Sequence, residues 1–74
     1  MASRASIPER AHPIAKAIFG AMRDRGVTYA ELSARSGLAR ETITAWRKRN
    51  KPDLESAEAA LGVLGLKLAV VPIN

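Results

Sequence analysis

Near the middle of the chain, Arg40, Glu41, Thr44, Ala45 and Lys48 recur at intervals of one and three residues. On an α-helix this spacing gathers them on one face. The basic run Arg47, Lys48, Arg49, Asn50, Lys51 follows at once. The chemistry on offer is hydrogen bonding and charge neutralisation against an anionic partner. Charge runs are usually only solvated faces, but this one leaves a polar helical face directly, and phosphate is its natural ligand. Other chemistries lack their parts. His12 is the single histidine and there is no cysteine, so neither a zinc site nor a thiol nucleophile can be assembled. Asp53, Glu55 and Glu58 read as a helix cap and a solvated face, not an acid–base dyad. Gly62 and Gly65 lack the Lys-Ser/Thr of a phosphate loop. No enzyme, metal or cofactor is expected.

The polar face needs a scaffold, and the stretch TYAELSARSGLARETITAWRKRNK supplies one. Thr28 is a good N-cap and Glu31 completes a capping box. Ala30, Leu32 and Ser33 are expected to face inward. Gly37 stands where the helix stops and the backbone turns left-handed. Leu38 plugs the turn, and a second helix is predicted over 39–48 with Ile43 and Trp46 buried. Two short helices about a glycine turn, the second polar and basic outside, make a helix-turn-helix.

Upstream, Pro13 suits the first turn of a helix. Ile14, Ile18 and Met22, joined by Ala15 and Phe19, form its apolar stripe, and Gly26 closes it after Arg23 and Arg25. His12 is read as a cap or surface residue. Downstream, Pro52 and Asp53 punctuate the chain, and Leu54, Ala57, Leu61 and Leu64 mark a covering helix that Gly65 ends. Over 66–71 the period changes to two, predicting a strand stopped by Pro72. With no partner in a helical chain, that strand is expected to pair with its copy through Leu66, Leu68 and Val70, forming a homodimer.

Seventy-four residues make one small domain, for which oligomerisation is the available staple once disulfides and metals are excluded. The division expected is a flexible arm over 1–11, a helix-turn-helix domain over 12–65 and a dimerisation strand over 66–74. The formal net charge is +5 and the pI about 10.5, again pointing to an anionic partner. No apolar run is long enough to cross a membrane and no secretory h-region is visible, so a cytoplasmic protein is expected.

At Leu32, Gly37, Ile43 and Trp46, followed by Pro52 and Leu54, the chain resembles the Cro/C1-type (XRE) helix-turn-helix family, over roughly 14–64. Its ending resembles the branch with a C-terminal dimerising strand, found among phage regulators and HipB-like antitoxins. The resemblance implies an all-α bundle of four or five helices with a short C-terminal β-strand pairing across a dimer. It places base contacts on Arg40, Glu41, Thr44 and Ala45, and phosphate contacts on Thr28, Tyr29, Arg47, Lys48, Arg49 and Lys51. Three positions depart from the family pattern. Ala39 replaces the usual Ser or Thr cap, Arg47 stands where an acidic residue is common, and 46–52 lacks the usual glycine. Asn50 is expected to take that left-handed role.

Under this resemblance Arg40 offers paired donors to guanine O6 and N7, worth ~1–3 kcal/mol against a wrong base. Glu41 accepts from cytosine N4, orients Arg40, or only complements the helix dipole. Thr44 offers a hydroxyl and a methyl, and Ala45 is small enough to admit the helix. Trp46 is core, and the Tyr29 ring packs while its hydroxyl reaches a phosphate. The function expected is a sequence-specific double-stranded-DNA-binding regulator, a repressor, acting as a homodimer on half-sites about 34 Å apart. The alternatives are an antitoxin that neutralises a toxin partner, or a DNA-packaging or recombination accessory. RNA is disfavoured, since no exposed aromatic platform is visible.

Overall fold

The computed structural model describes residues 11–48 and 50–73, and folds them as four helices: α1 (Pro13–Arg25), α2 (Tyr29–Ser36), α3 (Arg40–Ala45) and α4 (Leu54–Val63). Each boundary has a local cause. Proline sits at the start of α1, where its missing N–H costs nothing, and the Ile14 N–H donates to His12 Nδ1 at 3.1 Å. The capping box of α2 is complete. Glu31 N–H donates to Thr28 Oγ1 at 3.1 Å, and Thr28 N–H donates to Glu31 Oε1 at 2.9 Å. Asp53 caps α4, accepting from the Ser56 N–H at 3.2 Å.

The tight turn between α2 and α3 depends on Gly37, whose φ of +81° is costly for any residue with a Cβ. Polar side chains complete the turn. The Ser33 hydroxyl donates to the Leu38 carbonyl at 2.6 Å, and Ser36 Oγ accepts from the Leu38 N–H at 3.2 Å. Leu38 itself packs half-buried against the core.

Ile18, Leu32 and Ile43, one each from α1, α2 and α3, are the largest fully buried side chains. Helix α4 packs on both α1 and α2, and α3 packs on α2. Ala57 and Ala60 are buried, and their small side chains let α4 approach closely. Two inward assignments are corrected. Ala30 is exposed because it lies about 200° around α2 from Leu32, given about 100° per residue. Leu54 is 68 % exposed, since as the first residue of α4 it precedes the turn that meets the core. Ala11, at the end of the expected arm, is itself buried; the rest of that arm lies outside the described residues.

The second motif helix is shorter than predicted, and its exit tightens. Trp46, Arg47 and Lys48 donate to the carbonyls of Ile43, Thr44 and Ala45 at 3.1, 3.0 and 3.1 Å. Such i→i+3 bonds eclipse residues three apart. Trp46 therefore follows Ile43 into the core, and Lys48 stays aligned with Ala45 outside. Among the described residues every positive φ belongs to a glycine, so Asn50 does not adopt the left-handed conformation expected of it.

The strand expected over 66–71 is not formed: no described residue is in a strand. Strands exist by ladder hydrogen bonding to a neighbour, and no other described segment offers an edge. Leu68 packs half-buried against the core, whereas Val70, Val71 and Ile73 are 102, 70 and 96 % exposed.

A Cβ added at Gly37 would meet no atom within 4 Å, so Gly37→Ala isolates backbone strain from steric clash. It is expected to cost about 1–2 kcal/mol, read as a fall in Tm of about 4–8 °C per kcal/mol; an unchanged Tm would remove the left-handed turn as a constraint. A second expectation concerns pH. Hydrogen bonds from the Ser56 side chain, then from its backbone, hold the Asp53 carboxyl below its ordinary 3.8. A lowered folded-state pKa adds stability above the unfolded value that is lost as pH falls through the folded one. Asp53→Asn keeps an acceptor but removes the titration, so the Tm advantage of wild type over Asp53→Asn should shrink as pH drops below about 4. A constant difference down to pH 2.5 would contradict this.

Candidate nucleic-acid interface

Helix α3 has six residues and no side-chain cap; the Ala39 carbonyl accepts from the Thr42 and Ile43 N–H groups at 3.0 and 3.3 Å. Its orientation comes from burial. With Ile43 and Trp46 at 0 and 2 % exposure, the opposite side must face out. There Arg40, Glu41, Thr44, Ala45 and Lys48 line a single open concave surface, joined by Asn50. Ala45 is half-buried, and the other members are exposed. All four residues expected to meet base edges thus share one surface with a cation at its end. Glu41 makes no ion pair with Arg40. Asn50, expected only to turn the chain, is the lining residue that sequence reasoning missed. Its signal was a polar amide two residues beyond Lys48, capable of both donating and accepting.

The residues expected at phosphates fall into two groups. Lys48 and Lys51 are exposed cations near that surface's exit, and Arg49 lies outside the described residues. At the start of α2, by contrast, the polar groups are engaged within the fold. The Thr28 hydroxyl accepts from the Glu31 N–H and lies 3.3 Å from Glu31 Oε1, to which it donates. Tyr29 is half-buried, its ring 6.0 Å from that of Phe19 and tilted by 53°. Arg47 crosses from the exit of α3 to donate from Nη1 to the Tyr29 hydroxyl at 2.7 Å, with its guanidinium carbon 5.5 Å over the Phe19 ring. This half-buried arginine bridges α1, α2 and the end of α3, a role that a basic run in sequence cannot reveal.

Among the described residues no charged side chain is buried, and no cluster of His, Cys, Asp and Glu could hold a metal. No described helix is long and apolar enough to cross a membrane. Leu66, Leu68 and Val70 lie on the tail beyond α4, away in sequence from the concave surface.

No curated protein and no solved structure matches the chain. A family model does, over residues 20–69: that of the Cro/C1-type HTH DNA-binding domain. The match takes in α2, α3 and α4 whole, together with the second half of α1. With more than half of its length matched, the chain belongs to the Cro/C1-type helix-turn-helix family of DNA-binding domains.

Proposed function

We propose that the protein is a sequence-specific regulator that binds double-stranded DNA as a homodimer on an inverted repeat and represses by occupying a promoter. The carrying observation is the shared concave surface of Arg40, Glu41, Thr44, Ala45, Lys48 and Asn50 on a helix held from behind by Ile43 and Trp46. In this reading α3 enters the major groove, Arg40 pairs with guanine, Thr44 meets a thymine methyl or a phosphate, and Ala45 allows close approach. Lys48, Arg49 and Lys51 neutralise phosphates, and hold register without reading sequence. Its place of action is the compartment that holds the DNA, taken to be the cytoplasm.

Dimerisation is assigned to the tail. Leu66, Val70, Val71 and Ile73 are exposed apolar side chains on a tail whose backbone has no ladder partner among the described residues. Pairing with a second copy would satisfy that backbone and bury those side chains. The same exposed tail favours a second reading, an antitoxin whose tail engages a toxin.

Selection from random duplexes tests the main reading, with a short palindrome bound far more tightly than random DNA as the expected result. Recovery of no sequence, with affinity that only collapses as salt rises, would overturn it. Arg40→Ala should weaken the selected site by roughly 5–150-fold, the equivalent of ~1–3 kcal/mol, and leave non-specific affinity largely intact. Equal losses on both duplexes would make Arg40 a phosphate contact only. Lys51→Gln should flatten the slope of log affinity against log salt by about 0.9. Deleting 66–74 should yield a monomer by light scattering; an unchanged dimer mass would remove the tail from the interface.

A further inference from the structure

The Arg47–Tyr29 hydrogen bond joins two residues eighteen apart, and its chemistry is asymmetric. Arginine has donors and no acceptor, whereas a phenol has one donor and can accept. Arg47 therefore occupies the acceptor side of the Tyr29 oxygen and cannot take its proton. That O–H has no acceptor among the described residues. A hydroxyl that accepts a charge-assisted hydrogen bond is also polarised to donate more strongly. The geometry is held from two sides, by the Phe19 ring beneath the guanidinium and by the tilted contact between the Phe19 and Tyr29 rings. Phe19 is buried, so this platform is fixed to the core.

The location is informative too. Arg47 immediately precedes Lys48, and Lys48 and Asn50 line the concave surface. The hydrogen bond thus ties the Tyr29 hydroxyl to the exit of the DNA-facing helix. At the start of α2 the Thr28 and Glu31 N–H groups are already taken by the capping box, so the phenol proton is a donor the box leaves over.

We propose that Arg47 is a positioning residue that aims and polarises the Tyr29 hydroxyl as a donor to one DNA phosphate, instead of contacting phosphate itself. The inference rests on the DNA-binding reading above. It departs from the plain charge-run view, in which Arg47 is equivalent to Lys48 and Lys51.

The test uses the full chain on its selected duplex, with each phosphate replaced in turn by a neutral methylphosphonate. Wild type should lose roughly tenfold at one phosphate through this contact. Tyr29→Phe keeps the ring packing and should bind both operator and random duplex roughly tenfold more weakly, with an unchanged salt slope because the lost group is neutral. It should also become indifferent to methylphosphonate at that one position. Arg47→Met should abolish sensitivity at the same position, and should cost far less when made in the Tyr29→Phe background. If Arg47→Met fails to fold by circular dichroism, Arg47→Lys, which keeps the charge and loses the planar fork, should show a smaller loss confined to that phosphate. Additive losses, or an Arg47 variant that weakens binding while retaining full sensitivity at that phosphate, would overturn the inference. Tyr29→Phe binding as tightly as wild type would overturn it while leaving the DNA reading intact. No binding of wild type to any duplex would instead refute the DNA reading itself.

Discussion

A helix of six residues has almost no stability of its own, because nucleating it fixes several backbone dihedrals before propagation repays them. Helix α3 persists because Ile43 and Trp46 are buried in the common core. That burial also sets the rotation of the helix about its axis. Were another pair of residues buried instead, Arg40, Glu41, Thr44, Ala45 and Lys48 would not share one outward surface. The tightened exit serves the same constraint. By eclipsing residues three apart, it carries Trp46 inward with Ile43 while Lys48 stays with Ala45 outside.

The rest of the fold holds α3 in place with few resources. A small domain without disulfides must rely on a compact apolar core and well-made helix ends. The capping box at Thr28 and Glu31, the Asp53 cap and the left-handed Gly37 each satisfy or redirect backbone groups that would otherwise be left unpaired. Ser33 and Ser36 extend this logic into the turn, where both hydrogen-bond to the Leu38 backbone and so fix the entry to α3. No buried side-chain polar atom among the described residues lacks a partner, as a small core requires.

Arg47 shows how a charged residue can belong to both the frame and the surface. Its guanidinium lies over the Phe19 ring and donates to Tyr29, so α1, α2 and the exit of α3 meet at one side chain. The neighbouring cations Lys48 and Lys51 remain exposed. Beyond α4 the chain changes character: Leu68 still touches the core, and the apolar side chains after it face outward.

Much of this was legible in the residues because its causes are local. Thr28 with Glu31, Pro13, Asp53 and the three left-handed glycines act within a turn or two, and helical spacing alone separates Ile43 and Trp46 from the polar face. Periodicity is less informative at element ends, where a helix can outrun the core: Leu54 fits the stripe yet stands exposed, and α3 stops at Ala45. The tail alternates like a strand, but pairing depends on a neighbour that composition cannot supply. Two features came only from the tertiary structure. Asn50 joins the concave surface, and Arg47 reaches Tyr29 and Phe19 across gaps of 18 and 28 residues. Contacts between positions so far apart follow from how three helices pack together, and no local pattern in the chain encodes them.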